Sequence, residues 1–229
     1  MSKAKPAASA AVREPGDEAV TWGRQTWLAL LVMAVVIAVA LDAGLLINKA
    51  LEQPVPQALA GCRTSTQIGP HEFLGLQPMC ITATQTLDAT VNTTQGAIVI
   101  HLYPEIAPVT VNNFVVLATH GYFNGLTFWK TEDWVVQTGD PQGDGTGGPG
   151  YALPEEPSNS PLWGPGAVGM ARPAGGPVNG SQFFIEKGSW PAPGPTAVYN
   201  RFGTVTTGLD KVQLLAGTDT ITSIVIKVS

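Results

Sequence analysis

The sequence predicts a mainly β domain, a small closed barrel with two helical lids, carried behind a single N-terminal transmembrane helix. Three observations predict it. Charged residues are sparse at 13%, while 26 glycines and 19 prolines supply turns, a balance that favours short strands over a helical bundle. Beyond Thr84 the apolar residues alternate in short runs, with helical spacing at only two places. Ahead of that region lies one apolar run long enough to cross a bilayer.

That run, Trp27 to Ile47, reads WLALLVMAVVIAVALDAGLLI, 21 residues with Asp42 as its only charge. At 1.5 Å per residue it makes roughly 30 Å of helix, the thickness of a bilayer core. Trp22 and Trp27 stand where an aromatic belt would. Lys3, Lys5, Arg13 and Arg24 precede the run, and only Lys49 comes closely after it. This bias makes residues 1–26 a cytoplasmic tail and places the remainder outside the cell membrane. A cleaved signal peptide is the alternative, but its apolar core spans only about 7–15 residues. Residues 27–47 therefore read as an uncleaved single-pass anchor whose partner is the lipid bilayer.

Residues 48–83 read as an extracytoplasmic tether, because Pro54 and Pro56 stop the helix. Leu59-Ala60-Gly61-Cys62 has the letters of a lipobox, yet it lies well past the apolar run that a lipobox should close. Cys62 and Cys80 are the only cysteines, and they flank a short segment on the oxidising side. A disulfide between them is the preferred reading. By chain-entropy arguments it would contribute about 3 kcal/mol.

Residues 84–229 form the folded domain. Thr90 to Thr94 and Ala97 to Tyr103 predict a hairpin turning at Gln95-Gly96, with Ile98, Ile100 and Leu102 on one face and His101 on the other. Pro108 opens a helix in its first turn, Phe114, Leu117 and Ala118 share one side, and Gly121 ends it. Strands are expected at Thr127–Trp129, Trp134–Gln137, Ala167–Ala171, Gln182–Ile185 and Phe202–Val205. A second helix is expected at Leu209–Leu215, ended by Gly217, and Ile221–Val228 closes the chain as a strand. Phe183 and Phe184 alternate across their strand, so one of them belongs to the core.

Several function classes are excluded on this reading. The formal net charge is −5 without a basic patch, so nucleic-acid binding has no electrostatic footprint. His71, His101 and His120 are scattered, and none has metal-ligand spacing to another or to the cysteines. Neither G-x-S-x-G nor a Walker A sequence occurs. Gly143, Gly145 and Gly148 do spell G-x-G-x-x-G. That fingerprint needs a helix at once, and Pro149, Gly150, Pro154 and Pro157 come instead, so no nucleotide is expected. The sequon letters at Asn92 and Asn179 read as chance matches.

The segments GLTFWKTEDWVVQTGDPQGDGTGGPGY, GAVGMARPAGGPVNGSQFFIEKG and VYNRFGTVTTGLDKV, in this order and at fitting spacing, resemble a cyclophilin-type peptidyl-prolyl isomerase from about Ala89 to Val228. The resemblance implies an eight-stranded antiparallel barrel capped by two helices, with an X-Pro peptide in an outer groove and no cofactor. It assigns the Gly-rich loop to a tight turn beside that groove, at backbone angles glycine reaches cheaply. It puts Lys130 where the family carries its catalytic arginine, and reduced turnover is expected because lysine lacks the planar five-donor fork. Gln137 and Gln182 match glutamines that hold the peptide carbonyl and orient the cation. Trp134, Val135 and Phe184 match the walls and floor of the proline pocket. Ala171 matches the backbone site gripping the residue before proline, and Arg172 replaces a frequent asparagine. Tyr199 stands near the family's histidine, and Trp190 near its tryptophan. A non-catalytic module that holds a proline-containing segment of a membrane complex is the alternative reading.

Overall fold

The computed structural model describes Met33 and residues 55–158, 162–191 and 199–229. The chain divides into Met1–Gln53 and Pro54–Ser229, and all the strands described below belong to the second unit. Apart from Met33, the predicted anchor at 27–47 lies outside the described residues. Among the described residues no helix is long and apolar enough to cross a membrane.

Twelve strands are described. β1 (Gln67–Gly69) and β2 (Glu72–Phe73) form a small hairpin, and β7 (Ala152–Leu153) pairs with β9 (Val178–Asn179). The other eight make one antiparallel sheet. They are β3 (Leu87–Thr93), β4 (Gly96–Leu102), β5 (Lys130–Thr131), β6 (Val135–Thr138), β8 (Ala167–Met170), β10 (Phe183–Glu186), β11 (Arg201–Thr207) and β12 (Ile221–Val228). Their order is β12-β3-β4-β11-β8-β10-β6-β5. The sheet curls until its two edges meet at one isolated bridge, Thr127 to Thr220. Backbone bonds from Gly125 N to Ile221 O, Phe128 N to Asp219 O and Ile221 N to Leu126 O complete that seam. The expected strand at Thr127–Trp129 is thus this seam, and the ladder strand begins one residue beyond it, at Lys130. The two edges of the curled sheet meet through this seam and not through a continuous ladder.

Alternation explains the core. Ile98, Ile100 and Leu102 are buried together with Leu87, Ala89 and Val91 of the partner strand. His101 faces the other way and meets Asp88 directly across the ladder at 2.9 Å. The hairpin loop is Thr94-Gln95, one residue earlier than the turn expected, and the Asp219 carboxylate accepts from both side chains. Phe114, Phe123, Phe183 and Phe202 fill the interior, with ring centroids 5.2 to 6.2 Å apart. Phe183 is the core member of its pair.

α1 (Pro108–Thr119) packs against β12, and α2 (Leu209–Leu214) packs against β4. α1 ends in a Schellman arrangement, with Tyr122 N donating to Leu117 O and Gly121 N to Ala118 O while Gly121 adopts φ 71°. Its N-terminus has no cap from Ala107. Glu156 caps it from a distance, accepting from Val109 N at 3.0 Å and from Thr110 N at 2.9 Å. Glu156→Ala should lower stability by about 1–2 kcal/mol, the cost of a lost helix cap. Urea unfolding should show a lower midpoint at unchanged slope, and an unmoved midpoint would remove this role.

Nine consecutive residues of α1, Thr110 to Ala118, are buried, including Asn112 and Asn113. The helix has no solvent face because the segment before the sheet covers it. Cys80 N donates to Asn112 Oδ1, and Asn112 Nδ2 donates to Pro78 O. Leu59, Phe73 and Ile81 are buried in the main core. From residue 55 onward, the segment expected to hang as a tether is therefore packed onto the domain. The expected disulfide joins Cys62 to Cys80.

Candidate active site

One row of residues crosses five strands of the sheet. Lys130 on β5 pairs with Gln137 on β6, Gln137 with Phe184 on β10, Phe184 with Gly169 on β8, and Gly169 with Arg201 on β11. Directly opposed residues share a face, so this row lies on the side of the sheet away from Phe183. Two residues along the ladder, Val135 and Glu186 are opposite each other on the same face.

Above the row sits a second apolar cluster, separate from the core: Val135, Ala171 and Phe184, ringed by Trp134, Trp163, Trp190 and Tyr199. Trp190 lies 4.5 Å from Trp134 and 5.4 Å from Tyr199 between ring centroids. Every apolar residue assigned to the pocket is thus in one place.

Trp163 is an addition that the sequence reading lacks. Its ring stacks on Phe184 at 5.7 Å, and the Arg201 guanidinium lies 5.2 Å over it. Gly169 makes room for this, since a Cβ there would stand 2.7 Å from Trp163 Cη2 and 2.8 Å from Phe184 Cζ. The only sequence signal for it is a tryptophan in an otherwise Gly/Pro-rich loop just before a buried strand.

The polar side of the groove is equally connected. Gln137 Nε2 donates to Gln182 Oε1 at 2.8 Å. Gln182 Nε2 donates to Gly145 O at 3.0 Å and Gly147 O at 2.7 Å. The buried Asp140 carboxylate accepts from the backbone of Gln142, Asp144 and Gly145. The Gly-rich loop is thus strung between an amide and a carboxylate. Gly139, Gly143, Gly145 and Gly150 supply its positive φ angles, and the Asp144 and Gly145 amides are already bonded to Asp140. The strand β7 comes after the loop, not a helix.

Lys130 is 38% exposed, and its Nζ lies 3.2 Å from Glu132 Oε1. Glu132 Oε2 also accepts from Trp134 Nε1 at 2.7 Å. Glu132 is a second addition to the predicted set; it lies in the turn between β5 and β6, close in sequence to both partners. Ala171 differs from its expected role. Its N–H donates to Gln182 O and its carbonyl accepts from Asn179 N, so the backbone expected to grip substrate is already bonded internally. What Ala171 offers the groove is its methyl group. The Arg172 side chain turns to Gly176 O and pairs with Glu155 at 2.8 Å.

Glu186 lies on this same face, fully buried, and neither carboxylate oxygen makes a hydrogen bond of good geometry. Burial pushes its pKa up from 4.5 to about 7, against the opposing pull of the Gly164 backbone and Arg201. Among the described residues no cluster of His, Cys, Asp or Glu could hold a metal ion.

A curled antiparallel sheet with an outer aromatic pocket and an amide-lined flank defines a peptide-groove protein of the prolyl isomerase class. Comparison with known proteins agrees. The model of the family "Cyclophilin type peptidyl-prolyl cis-trans isomerase/CLD" matches residues 87–227. The peptidyl-prolyl cis-trans isomerase B of Bacillus subtilis is 44% identical over 120 residues, which is 52% of this chain and 82% of that protein. A peptidyl-prolyl cis-trans isomerase of Helicobacter pylori is 42% identical over 103 residues, 44% of this chain and 63% of that one. The crystal structure of a cyclophilin type isomerase from Cryptosporidium parvum aligns with a TM-score of 0.56 at 27% identity, over 62% of this chain and 98% of that chain. A structure of the same protein in the presence of the dipeptide Ala-Pro gives 0.55 at 27% identity, over 61% and 98%. The chain belongs to the cyclophilin-type peptidyl-prolyl cis-trans isomerases.

Proposed function

We propose that this isomerase is tethered to the cell membrane by residues 27–47 and acts on X-Pro bonds of extracytoplasmic proteins. Rotation about the peptide C–N bond costs about 18–20 kcal/mol, because resonance is lost in the twisted state. No covalent bond breaks, so the catalyst must hold the prolyl ring, exclude water and favour the twisted amide over both planar forms. Phe184, Val135, Trp134 and Trp190 take the ring. Gln137, oriented by Gln182, meets the peptide carbonyl. Lys130 donates to the linkage as its nitrogen becomes a better acceptor. Lowering the barrier by about 5 kcal/mol accelerates exchange several-thousand-fold. The observation that carries this reading is the row Lys130–Gln137–Phe184 on three neighbouring strands beside the aromatic cluster.

Turnover below that of an arginine-bearing site is expected, since an ammonium makes single contacts and this one is shared with Glu132. The test is a protease-free exchange measurement on an Ala-Pro peptide with the full chain. Lys130→Arg should raise the rate several-fold. Lys130→Ala should lower it about tenfold or more, the worth of one charged hydrogen bond. An alanine variant as fast as the unmutated protein removes Lys130 from the mechanism. Peptide binding without exchange in every variant favours the non-catalytic module.

A further inference from the structure

We propose that residues 55–83, which precede the family match, are a positioning brace for the substrate loop, with Gln77 as its coupling residue. The proposal rests on the isomerase reading for its kinetic arm only. Three lines of contact run from this segment to both ends of the Gly-rich loop.

The first is backbone. Phe73 N donates to Pro149 O at 2.9 Å, and the chain passes so close that a Cβ on Gly150 would stand 3.1 Å from Phe73 O. The second is a side-chain relay. Ser65 N donates to Gln77 Oε1 at 2.8 Å, and Gln77 Nε2 donates to Tyr151 Oη at 2.8 Å. Tyr151 Oη donates onward to Asn113 Oδ1 at 2.6 Å, and Asn113 Nδ2 donates to Gly180 O at 2.7 Å. The third runs through rings. His71 meets Tyr122 edge-on at 5.0 Å, Tyr122 Oη donates to Ser181 Oγ, and Ser181 Oγ donates to Gly139 O at 2.7 Å.

These lines end at Gly139, Pro149 and Tyr151 of the loop, and at Gly180 and Ser181 just before Gln182. Gln182 in turn holds the loop carbonyls of Gly145 and Gly147. A segment that merely covered α1 would need apolar side chains, as at Leu59 and Ile81. Here a buried amide, Gln77, is satisfied at both ends and its donor is aimed at a loop residue. A phenol has one proton and donates once, so Tyr151 Oη passes the constraint from the segment to Asn113. The disulfide between Cys62 and Cys80 closes the segment that carries Ser65, His71, Phe73 and Gln77.

The test uses the full chain with Gln77→Leu, Tyr151→Phe, the double variant, and the Cys62→Ser, Cys80→Ser pair. Tyr151→Phe removes one oxygen and still reads the link if Gln77→Leu fails to fold. KM and kcat for an Ala-Pro peptide are measured beside hydrogen exchange of the Asp144, Gly145 and Thr146 amides and the thermal midpoint. Each single variant should raise KM about three- to tenfold, the weight of one hydrogen bond, with kcat within about twofold. Loop exchange should quicken by a similar factor, and the cysteine pair should quicken it too. The double variant should be no worse than the worse single one, because both cut the same relay. Loop exchange reads the brace whether or not the unmutated chain turns over peptide, so failure of the isomerase reading stays distinguishable. A lower thermal midpoint with unchanged KM and loop exchange would overturn the proposal, as would full additivity in the double variant.

Discussion

Phe184→Ala is expected to cost about tenfold to a hundredfold in kcat/KM for an X-Pro peptide, while leaving a folded protein. Phe184 holds a central position in the pocket. Its ring lies 5.7 Å from Trp163, 5.7 Å from Trp190 and 5.4 Å from Tyr199, and its strand neighbours are Gln137 and Gly169. Losing the surface that buries a prolyl ring forfeits about 1.5–3 kcal/mol of binding, which gives the stated range. Truncating a buried phenylalanine also costs about 3–5 kcal/mol of stability where the site cannot collapse. The aromatic cluster is separate from the main core, and Phe183 still holds the inner face, so the loss should fall at the lower end. Exchange spectroscopy at low temperature separates the effects, because a folded chain with full turnover would mean the prolyl ring sits elsewhere. Gly169→Ala approaches the same pocket from below. Its methyl group collides with Trp163 and Phe184, and neither ring can retreat without disturbing the other.

How much of the molecule was legible in the sequence depends on the range of each interaction. Period-two alternation set the faces of β4, and proline and glycine marked the ends of α1, because those signals lie within a few residues. The groove residues were legible through the resemblance, as an ordered set, and the sheet does bring Lys130, Gln137, Phe184, Trp134 and Val135 together. Contacts between distant segments left no local mark. Glu156 caps a helix 46 residues earlier, and Gln77 reaches a tyrosine 74 residues later. The same limit made residues 55–83 read as a tether, since proline and glycine there suggest a linker while Leu59, Phe73 and Ile81 are core. The internal bonds of the Ala171 backbone were not legible, because its partners, Gln182 and Asn179, are set by a turn that the letters alone do not orient. The seam at Thr127–Thr220 likewise depends on how far the whole sheet curls.

Glu186 gives the second large effect, in stability against pH. Its carboxyl is fully buried and held at about 7, above its ordinary 4.5. The unfolded chain releases this proton near 4.5, but the folded chain keeps it until about 7. Between those values the folded state binds more protons, so stability falls as pH rises. The contribution is complete below pH 4.5 and is gone once pH passes 7. Its size is at most about 3 kcal/mol, from the separation of the two values at 1.36 kcal/mol per unit. Above pH 7 the ionised carboxylate has Arg201 as its attracting charge, and Arg201 also donates to Leu162 O beside Trp163. Urea titrations from about pH 5 to 8 should therefore show a declining stability in the unmutated chain. Glu186→Gln should flatten that decline, because a side chain of the same shape carries no titrating proton. Equal slopes in the two proteins would mean that the buried carboxyl ionises at its ordinary value, and that the groove face beside Val135 is wetter than its burial implies.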